Sequence, residues 1–505
     1  MKHTLNRRNF LKTTALATGA VSFGFPAIVR GQNLNSKINI ACVGIAGKGA
    51  QETNSSASEN IVALCDVDIN YSAKTRAKFP DAKFFQDFRK MFDAMGKSID
   101  AVTITTPDHT HAMIAATAMS LGKHVYCQKP LTQTIYEARH LRDLAQKSKV
   151  VTQMGNQGTT ADGQRRAVEV IQSGILGTVK EVHIWSNRPI WPQGMNRPEG
   201  SDPVPDGLDW DLWIGPAPMR PFKLGSGKGK HDFGIYNPFN WRGWQDFGTG
   251  ALGDMACHTV NMPFRALKLG YPTEIEAEAI GGMNKETYPI GSKIRFQFSR
   301  EKTAHAHPWA KKAAELFLSH TATPSESPLT LWWYDGGKPQ PGNPYLHDRS
   351  NKPPRELLTD VEAFRGEIPH SGCLIIGDKG IGFAPDDQGS QLFVKLAGEK
   401  KFTFIDKHPA AMAVPVTITR NLFKGDADVR HHQEWHDAIR QNKPELCFSR
   451  FDIGATLTEI MLLGCVALRV GKKLDWDGPN MRVTNAPEAA QFIKRENRPG
   501  WMLAA

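Results

Sequence analysis

The chain has 505 residues, more than one hydrophobic core usually organises, and this length predicts two domains. Its 40% hydrophobic and 22% charged residues are typical of a globular protein and exclude a disordered or fibrous chain. The net charge of +11 falls to +6 without residues 1–31, which hold five basic and no acidic residues; the other basic residues are scattered, so we expect no nucleic-acid partner.

The first residues resemble a twin-arginine export signal. Arg7 and Arg8 are followed by Phe-Leu-Lys, and an apolar run containing glycine and proline covers residues 15–29. That run is too short and too glycine-rich for a membrane-spanning helix. We expect residues 1–31 to direct the chain to the periplasm by the twin-arginine route; a basic, frayed terminus is the alternative. No later segment is predicted to cross a bilayer, so we expect no stable membrane insertion of the mature chain.

The cysteine pattern predicts isolated thiols. The seven cysteines are widely spaced and include no C-x-x-C pair. Such a set is typical of buried thiols rather than of a disulfide framework or a zinc site.

Short apolar runs alternate with helical segments in the first part of the chain. The predicted strands cover residues 37–43, 61–65, 101–105, 124–127 and 150–154, and the predicted helices cover residues 112–121 and 135–148. This alternation is typical of a doubly wound parallel sheet. We therefore predict a Rossmann domain over residues 37–155.

The rest of the chain, residues 156–505, shows another pattern. Helices are predicted at 164–173, 251–269, 433–441 and 454–470, with strands at 179–187, 275–280, 292–298, 329–334, 373–376, 391–395 and 402–405. Because most of these strands follow one another without helices, they predict a mostly antiparallel sheet. Residues 336–369 are predicted to form a long surface loop. The predicted fold class is α/β: an N-terminal Rossmann domain with a doubly wound parallel sheet, followed by a C-terminal α+β domain with a large, mostly antiparallel open sheet.

A glycine-rich turn follows the first predicted strand. Gly44 and Gly49 occupy the first and third positions of a G-x-G-x-x-G pattern, and Ala46 replaces its middle glycine. Asp66 ends the next strand, where a carboxylate accepts a ribose 2′-hydroxyl and repels a 2′-phosphate. Together these residues predict a dinucleotide site that favours NAD over NADP.

Four later motifs point to one family. They are T-T-P-D-H-T-H at 105–111, C-Q-K-P at 127–130, W-R at 241–242 and G-A-L-G-D-M-A-C-H at 250–258. In combination and order, this set resembles the Gfo/Idh/MocA oxidoreductases, which include glucose–fructose oxidoreductase and inositol dehydrogenase. The resemblance covers essentially all of residues 37–500.

The resemblance implies a set of site residues. It implies catalytic roles for Lys129, Asp254 and His258, and substrate contacts for the same three residues together with Trp241 and Arg242. For the cofactor it adds to the glycine-turn residues and Asp66 the following: Thr105, Pro107, Asp108, His111, Gln128 and Lys129. Asn156, which follows the last predicted strand of the Rossmann domain, could reach the nicotinamide end of the cofactor or simply stabilise a turn. It also implies a sugar substrate and a homodimer or homotetramer formed through the C-terminal sheet.

Two positions depart from the family pattern. Gln128 stands where the family has the glutamate of E-K-P, so a negative charge beside Lys129 is replaced by an amide. Ala46 replaces the middle glycine of the phosphate turn. Neither change removes a group that the chemistry requires.

The chemistry of alcohol oxidation explains why these residue types are needed. A secondary alcohol must lose a hydride to an acceptor and a proton to a base, beside positive charge that stabilises the alkoxide. Lys129 can supply that charge, and His258, with an ordinary pKa near 6.5, can act as the base. Asp254 precedes His258 by four residues and is expected on the same helix face. A solvated pair on that face is the alternative.

The remaining histidines and tryptophans are predicted to be structural. His431, His432, Glu434 and His436 could hold a metal, but we interpret them as polar residues near the start of a helix, some of them lining the substrate cleft; His305 and His307 give a weaker signal. The tryptophans at 185, 191, 210, 213, 241 and 244 are expected mostly in the core. No metal is expected.

The sequence therefore predicts an exported, NAD-dependent oxidoreductase that acts on a secondary hydroxyl of a sugar or glycoside. An NAD-dependent glycoside hydrolase with an oxidation–elimination–reduction cycle is the alternative, although the tyrosine motif typical of that exported branch is missing after the Rossmann domain. A non-catalytic sugar-binding protein is a third hypothesis.

Overall fold

A six-stranded parallel sheet forms the first part of the computed structural model, which describes residues 37–225, 234–298 and 328–504. Its strands are β1 (Asn39–Val43), β2 (Asn60–Cys65), β3 (Lys83–Phe85), β4 (Ala101–Ile104), β5 (His124–Gln128) and β6 (Thr152–Gly155). They lie in the order β3-β2-β1-β4-β5-β6 with every neighbouring pair parallel, which confirms the predicted doubly wound sheet. The expected export signal, His305 and His307 lie outside the described residues.

Helices connect these strands. They are α1 (Lys48–Ser55), α2 (Ala73–Lys78), α3 (Phe88–Met95), α4 (Asp108–Ser120) and α5 (Ile135–Ser148). The best-defined helix start is that of α5, where Thr134 Oγ1 accepts from the Glu137 backbone N–H while the Glu137 carboxylate accepts from that of Thr134. The strand order reverses between β1 and β4, so their carboxyl ends open the crevice in which such sheets bind ligands.

A ten-stranded sheet dominates the rest of the chain. Its strands are β7 (Val179–Ser186), β8 (Glu274–Ile280), β9 (Gly291–Phe298), β10 (Leu329–Asp335), β13 (Gly372–Gly377), β14 (Gly380–Ala384), β15 (Phe393–Leu396), β16 (Thr403–Phe404), β17 (Leu474–Asp477) and β18 (Arg482–Val483), while β11 (Pro339–Gln340) and β12 (Asn343–His347) form a separate hairpin. Strands β7 and β10 pair in parallel, and the other pairs are antiparallel. The predicted large, mostly antiparallel sheet is confirmed.

Helices of the second part of the chain pack on both faces of this sheet and against the parallel sheet. They are α6 (Asp162–Gln172), α7 (Trp210–Ile214), α8 (Gly250–Thr259), α9 (Asn261–Ala266), α10 (Arg355–Arg365), α11 (Pro409–Met412), α12 (Ala427–Gln441), α13 (Phe451–Val470) and α14 (Ala490–Ile493). Helix α13 lies between α5, α8 and the second sheet and is buried on all sides. Two of its glycines allow close packing, since a Cβ on Gly464 would lie 2.5 Å from Leu252 Cδ2.

The prediction that no later segment could span a membrane is wrong for α13. This helix has 20 residues and a mean hydropathy of 1.7, enough to span a bilayer by length and composition. However, 89% of its most apolar 18-residue stretch is buried inside the protein. A helix that is hydrophobic all round is also what the centre of a two-layer core requires, and that is the place of α13.

Two other boundaries differ from the prediction. Residues 336–369 are not one long loop, because they contain the β11–β12 hairpin and helix α10, whose Leu358 and Val361 pack against Trp185. The predicted helix 251–269 is two helices, α8 and α9, with the break at Val260 ahead of Pro263, which has no N–H to continue the helix. All seven cysteines are buried free thiols, as predicted.

Candidate active site

The carboxyl ends of the parallel strands open into a cavity of about 560 Å³ that is shared with the second part of the chain. Of the residues predicted from the sequence, the following line it: Gly44, Ala46, Asp66, Thr105, Pro107, Asp108, Gln128, Lys129, Trp241, Arg242, Asp254 and His258. The structure thus brings together the glycine turn, the E-K-P-like segment and the α8 residues, which lie up to about 200 positions apart in the sequence. A single concave site of this size suits a cofactor and a small substrate together.

The glycine turn holds its backbone close to β4. Gly44 has a φ of +74°, and a Cβ there would lie 2.7 Å from the Thr105 carbonyl oxygen. Gly49 does not line the cavity; a Cβ on it would lie 1.8 Å from the Gly44 carbonyl oxygen, so this glycine lets α1 pack against the turn. In a dinucleotide-binding turn, the first glycine allows the tight turn and the third allows close packing of the helix, and Gly44 and Gly49 match these roles. The turn therefore fits a pyrophosphate.

Asp66 lies at the end of β2 beside this turn. Its Oδ2 accepts from the Ile45 N–H at 2.8 Å and its Oδ1 accepts from the Asp68 N–H at 3.0 Å. Burial raises the pKa of Asp66 to about 6, which leaves the carboxylate ionised at pH 7. The group is fixed and charged at the position where a ribose 2′-hydroxyl would be held and a 2′-phosphate repelled.

A segment of the long insertion between β7 and α8 closes the cavity next to Asp66. We call residues 205–215 the strap. The Asp209 N–H donates to the Val67 carbonyl at 2.9 Å, and the Ile69 N–H donates to the Gly207 carbonyl at 3.0 Å, so the strap is hydrogen-bonded to the loop after β2. Leu208 and Leu212 of the strap line the cavity.

The end of the chain reinforces this wall. Trp501 also lines the cavity, and its ring packs on Phe88 with the ring centroids 6.2 Å apart. Arg498 Nε donates to the Gly215 carbonyl at 3.0 Å, which ties the terminal segment to the strap. The dinucleotide groove of the first sheet is therefore bounded partly by residues far from it in the sequence.

Lys129, the lysine of the E-K-P-like segment, lies against α8. Lys129 Nζ donates to Asp254 Oδ1 at 2.8 Å and to the Asp254 carbonyl at 2.9 Å, which leaves the third N–H of the ammonium group for a ligand. Arg242 Nε donates to the same carboxylate oxygen at 3.3 Å, and its guanidinium stacks 4.3 Å from the Trp241 ring. Burial alone would raise the pKa of Asp254, but the charges of Lys129 and Arg242 hold it well below its usual range.

His258 lies one turn after Asp254 on α8. Its Nδ1 is buried and has no hydrogen-bond partner within the described residues, and its ring lines the cavity. Burial and the charge of Lys129 lower the pKa of His258 to about 3, so the sequence-based expectation of a pKa near 6.5 is corrected. The imidazole is neutral at physiological pH and can accept a proton or a hydrogen bond from a ligand.

Glu52, which sequence reasoning missed, compensates for the amide at position 128. The Gln128 Nε2 donates to Glu52 Oε1 at 2.8 Å, and Lys48 Nζ lies 2.7 Å from the same oxygen. His432 Nε2 pairs with the other carboxylate oxygen. Burial would raise the pKa of Glu52, but the hydrogen bond and charge of His432, with Lys48, lower it to about 2. Helix α1 thus returns a negative charge to the vicinity of the E-K-P-like segment.

The histidines of α12 belong to this buried contact rather than to the cleft. His431 Nδ1 lies 2.8 Å from the Tyr126 hydroxyl, and the ring of His432 stacks on Tyr126 at 4.0 Å. Neither they nor His436 line the cavity, which corrects the expectation that some of them do. Within the described ranges, no group of three or more potential ligands is arranged to hold a metal ion.

Two residues predicted to bind the cofactor lie behind the cavity wall. The ring nitrogens of His111 lie 3.0 Å from the Pro130 carbonyl and 2.8 Å from the Thr106 carbonyl, so this histidine joins two cavity-lining segments. Asn156 Nδ2 donates to the Cys257 carbonyl at 3.2 Å. Both side chains hold the backbone of the site in place. The six tryptophans expected mostly in the core are all buried.

The ionisation of the Asp108 carboxyl group, at the start of α4, makes the stability of the fold depend on pH. Asp108 Oδ2 accepts from the Thr249 hydroxyl at 2.8 Å, and burial together with the Asp254 carboxylate raises its pKa to about 7. An aspartate in the unfolded chain ionises near its ordinary value, so folding favours the protonated form. The stability that this proton provides is complete below the unfolded pKa and is lost as the pH rises through about 7.

We therefore expect Asp108→Asn to gain stability over the wild type as the pH rises. The amide still accepts from Thr249 but never ionises, so the gain should grow by about 1 to 3 kcal/mol between about pH 5 and pH 8. Denaturant unfolding at both pH values measures it. A difference between the two proteins that does not change with pH would contradict the ionisation assigned to Asp108.

Comparison with known proteins identifies the two parts of the chain. Residues 38–156 match the Gfo/Idh/MocA family model described as the NAD-binding Rossmann fold of an oxidoreductase family. Residues 164–286 match the model for the C-terminal alpha/beta domain of the same family. The two matches follow each other in the order that the family has.

Individual relatives agree with these matches. An uncharacterized oxidoreductase of Schizosaccharomyces pombe is 37% identical over 108 residues, 21% of this chain and 28% of the relative. Inositol 2-dehydrogenase of Salmonella typhimurium (strain LT2) is 26% identical over 151 residues, 29% of this chain and 44% of the relative. Levoglucosan dehydrogenase of Pseudarthrobacter phenanthrenivorans is 24% identical over 200 residues, 39% of this chain and 40% of the relative. The aligned segments thus span less than half of each relative's length.

Solved structures share the fold over most of the chain. A levoglucosan dehydrogenase in complex with NADH and L-sorbose has a TM-score of 0.53 at 15% identity, with 87% of this chain and 99% of that one covered. An inositol dehydrogenase homolog from Azotobacter vinelandii, complexed with NADH and myo-inositol, has a TM-score of 0.54 at 15% identity, with 88% and 98% covered. Two models of the Gfo/Idh/MocA oxidoreductase family thus match residues 38–156 and 164–286, and the solved structures share the fold over most of the chain.

Proposed function

We propose that the protein is an NAD-dependent oxidoreductase that acts on a secondary hydroxyl of a sugar or glycoside. One observation carries the proposal: Lys129, Asp254 and His258 lie in the same cavity as the Gly44 turn and Asp66. Relatives named inositol 2-dehydrogenase and levoglucosan dehydrogenase support a cyclic polyol or sugar as the class of substrate.

The residues of the cavity have different roles in the proposed reaction. When bound, NAD would supply the hydride acceptor; the Gly44 turn would face its pyrophosphate and Asp66 its ribose. The third N–H of Lys129 holds the oxygen of the substrate hydroxyl, and its charge stabilises the alkoxide as the proton leaves. The neutral ring of His258 accepts that proton. Asp254 fixes the ammonium group of Lys129, and Trp241 helps to exclude water.

Turnover of a panel of methyl glycosides, free sugars and cyclic polyols tests the proposal. Absorbance of reduced nicotinamide is followed while mass spectrometry identifies each product. We expect at least one substrate to give a ketone lighter by the mass of two hydrogen atoms, with matching NADH. Aglycone release without net NADH would instead support the NAD-dependent glycoside hydrolase. Tight sugar binding without turnover would support a sugar-binding protein.

We further propose that the protein is exported by the twin-arginine route with its cofactor already bound. That route carries folded proteins, whereas the periplasm offers no dependable pool of free dinucleotide. The strap and Trp501 support slow release, because they close the cavity beside Asp66 with residues tied together by backbone hydrogen bonds. The bound cofactor is then recycled by a second substrate or by a later step of the same cycle.

Protein recovered from the periplasm should carry about one dinucleotide per chain, and it should be NAD rather than NADP because of Asp66. Denaturation followed by chromatography measures this. Stripping the cofactor should lower the melting temperature by mass action, and Trp501→Ala should retain less NAD after dialysis than the wild type. Periplasmic protein without cofactor, active only in millimolar added NAD, would contradict a resident cofactor.

We also propose that the chain assembles as a homodimer or homotetramer through the second sheet. On the face of β8, β9 and β10 opposite α13, Trp332 lies beside Lys293, with the ammonium nitrogen 5.0 Å from the ring centroid. Arg295 pairs with Glu276 on the same face at 3.2 Å. Aromatic and arginine side chains such as those of Trp332 and Arg295 are enriched at interfaces between subunits.

A further inference from the structure

Among the charged side chains that line the cavity, those of Arg188 and Asp387 have no part in the chemistry described above. Arg188 follows β7, and Asp387 lies in the loop between β14 and β15. Both residues follow strands of the ten-stranded sheet, whereas Lys129 follows a strand of the parallel sheet. No sequence motif singles them out, and only the fold brings them to the same cavity as Asp254.

One carboxylate oxygen of Asp387, Oδ1, is buried and has no hydrogen-bond partner among the described residues. A buried carboxylate oxygen without a donor is unfavourable, so such an atom in a cavity wall indicates a donor from a ligand. Burial raises the pKa of Asp387, opposed by a hydrogen bond from the Ser371 side chain and by the charge of Arg188.

The loop that carries Asp387 is rigid. Asp386 Oδ1 accepts from the Gln388 N–H at 2.7 Å and from the Ser390 N–H at 3.1 Å. Gln164 Nε2 of α6 donates to the Gln388 carbonyl at 2.7 Å, which ties the loop to a helix. The unsatisfied carboxylate oxygen is therefore held in place before any ligand arrives, as a binding group should be.

Arg188 supplies donors in the same cavity. Its guanidinium hydrogen-bonds to Asn187, but no carboxylate lies within 4.0 Å of it in the described parts of the chain. Its charge nevertheless acts on Asp254 and on Asp387, for both of which it lowers the pKa. A guanidinium group has five N–H donors, so Arg188 retains donors for a ligand.

We propose that Arg188 and Asp387 form a second sugar subsite, which binds a pair of neighbouring hydroxyls on the substrate away from the hydroxyl held by Lys129. Asp387 Oδ1 accepts from one hydroxyl, and Arg188 donates to the oxygen of its neighbour. A hydroxyl pair fits because it offers both a donor and an acceptor. A substrate carboxylate would face Asp387, and a substrate ammonium group would face Arg188, so the subsite favours a neutral vicinal diol. This inference rests on the proposed function.

Deoxy analogues test the subsite directly. The probes are the methyl glycosides of glucose, galactose and mannose, each compared with its monodeoxy analogues for kcat and KM. For the parent that is oxidised, we expect removal of one of two adjacent hydroxyls to lower kcat/KM of the wild type by about tenfold to a hundredfold, mainly through KM. Asp387→Asn should lower kcat/KM for the parent by a similar factor, and its kcat/KM for that deoxy analogue should equal its kcat/KM for the parent. Arg188→Gln should give the same equality between the parent and the analogue that lacks the neighbouring hydroxyl.

Matched controls separate the outcomes. Asp406→Asn makes the same change of charge at an exposed position of the same part of the chain, and should leave the discrimination unchanged. Calorimetry should show unchanged NAD binding in Asp387→Asn, which confirms that the variant is folded. If the wild type oxidises a parent glycoside but Asp387→Asn keeps its full preference over every deoxy analogue, the subsite is wrong and the proposed function stands. If the wild type neither binds nor oxidises any probe, the proposed function fails, and the subsite with it.

Discussion

Lys129→Ala should lower kcat/KM for the substrate by about a hundredfold or more, the scale expected when a positioned charged group is removed. The ammonium group of Lys129 lies 2.8 Å from Asp254 Oδ1 and has one N–H left for the substrate oxygen. Its removal takes away both that hydrogen bond and the charge that stabilises the alkoxide. Steady-state kinetics on the oxidised glycoside measure the loss.

The fold should survive this change, since Arg242 still pairs with Asp254. Lys97→Ala, a substitution of an exposed lysine in the first part of the chain, is the control and should retain normal turnover. NAD content should remain close to that of the wild type. Turnover of Lys129→Ala within a few-fold of the wild type would remove this lysine from the mechanism.

His258→Ala should also lower turnover by about a hundredfold or more, because the proton of the substrate hydroxyl then has no acceptor within reach. His258 belongs to α8, not to the Gly44 turn, so NAD binding and folding should be preserved. The buried Nδ1 makes no hydrogen bond within the described part of the chain, which limits the structural damage.

A conservative variant separates proton transfer from simple positioning. His258→Asn keeps a hydrogen-bonding group but cannot take up a proton, so it should be as slow as His258→Ala. If asparagine restores turnover, His258 only orients the hydroxyl. Because its pKa is lowered to about 3, loss of activity in mildly acidic solution should not arise from protonation of His258 in the free protein.

Local sequence patterns predicted most of the fold. The apolar runs of β1, β2, β4 and β5 and the amphipathic helix α5 are long enough to be recognised without tertiary information. Strand β3 was missed because it has three residues and no alternating pattern. Helix α10 was hidden by charged and proline residues around Leu358 and Val361, which become an apolar face only when packed on Trp185.

The site was predictable only where residues form motifs. Lys129, Asp254 and His258 come from short segments with fixed spacing, so the sequence could name them. Glu52 and Asp387 could not be found in this way, since their roles depend on which distant side chains they meet. The pKa of His258 also lies beyond sequence reasoning, because burial and the charge of Lys129 exist only in the folded chain.

Hydride transfer between a sugar carbon and NAD in this cavity can be followed with a glycoside deuterated at the carbon that is oxidised. The glycoside is incubated with the protein, and both product and dinucleotide are analysed by mass spectrometry. We expect deuterium in the nicotinamide and a carbonyl at the labelled carbon, and we expect Lys129→Ala and His258→Ala to transfer the label at least about a hundredfold more slowly. A product formed at a normal rate without deuterium in the nicotinamide would rule out hydride transfer to NAD.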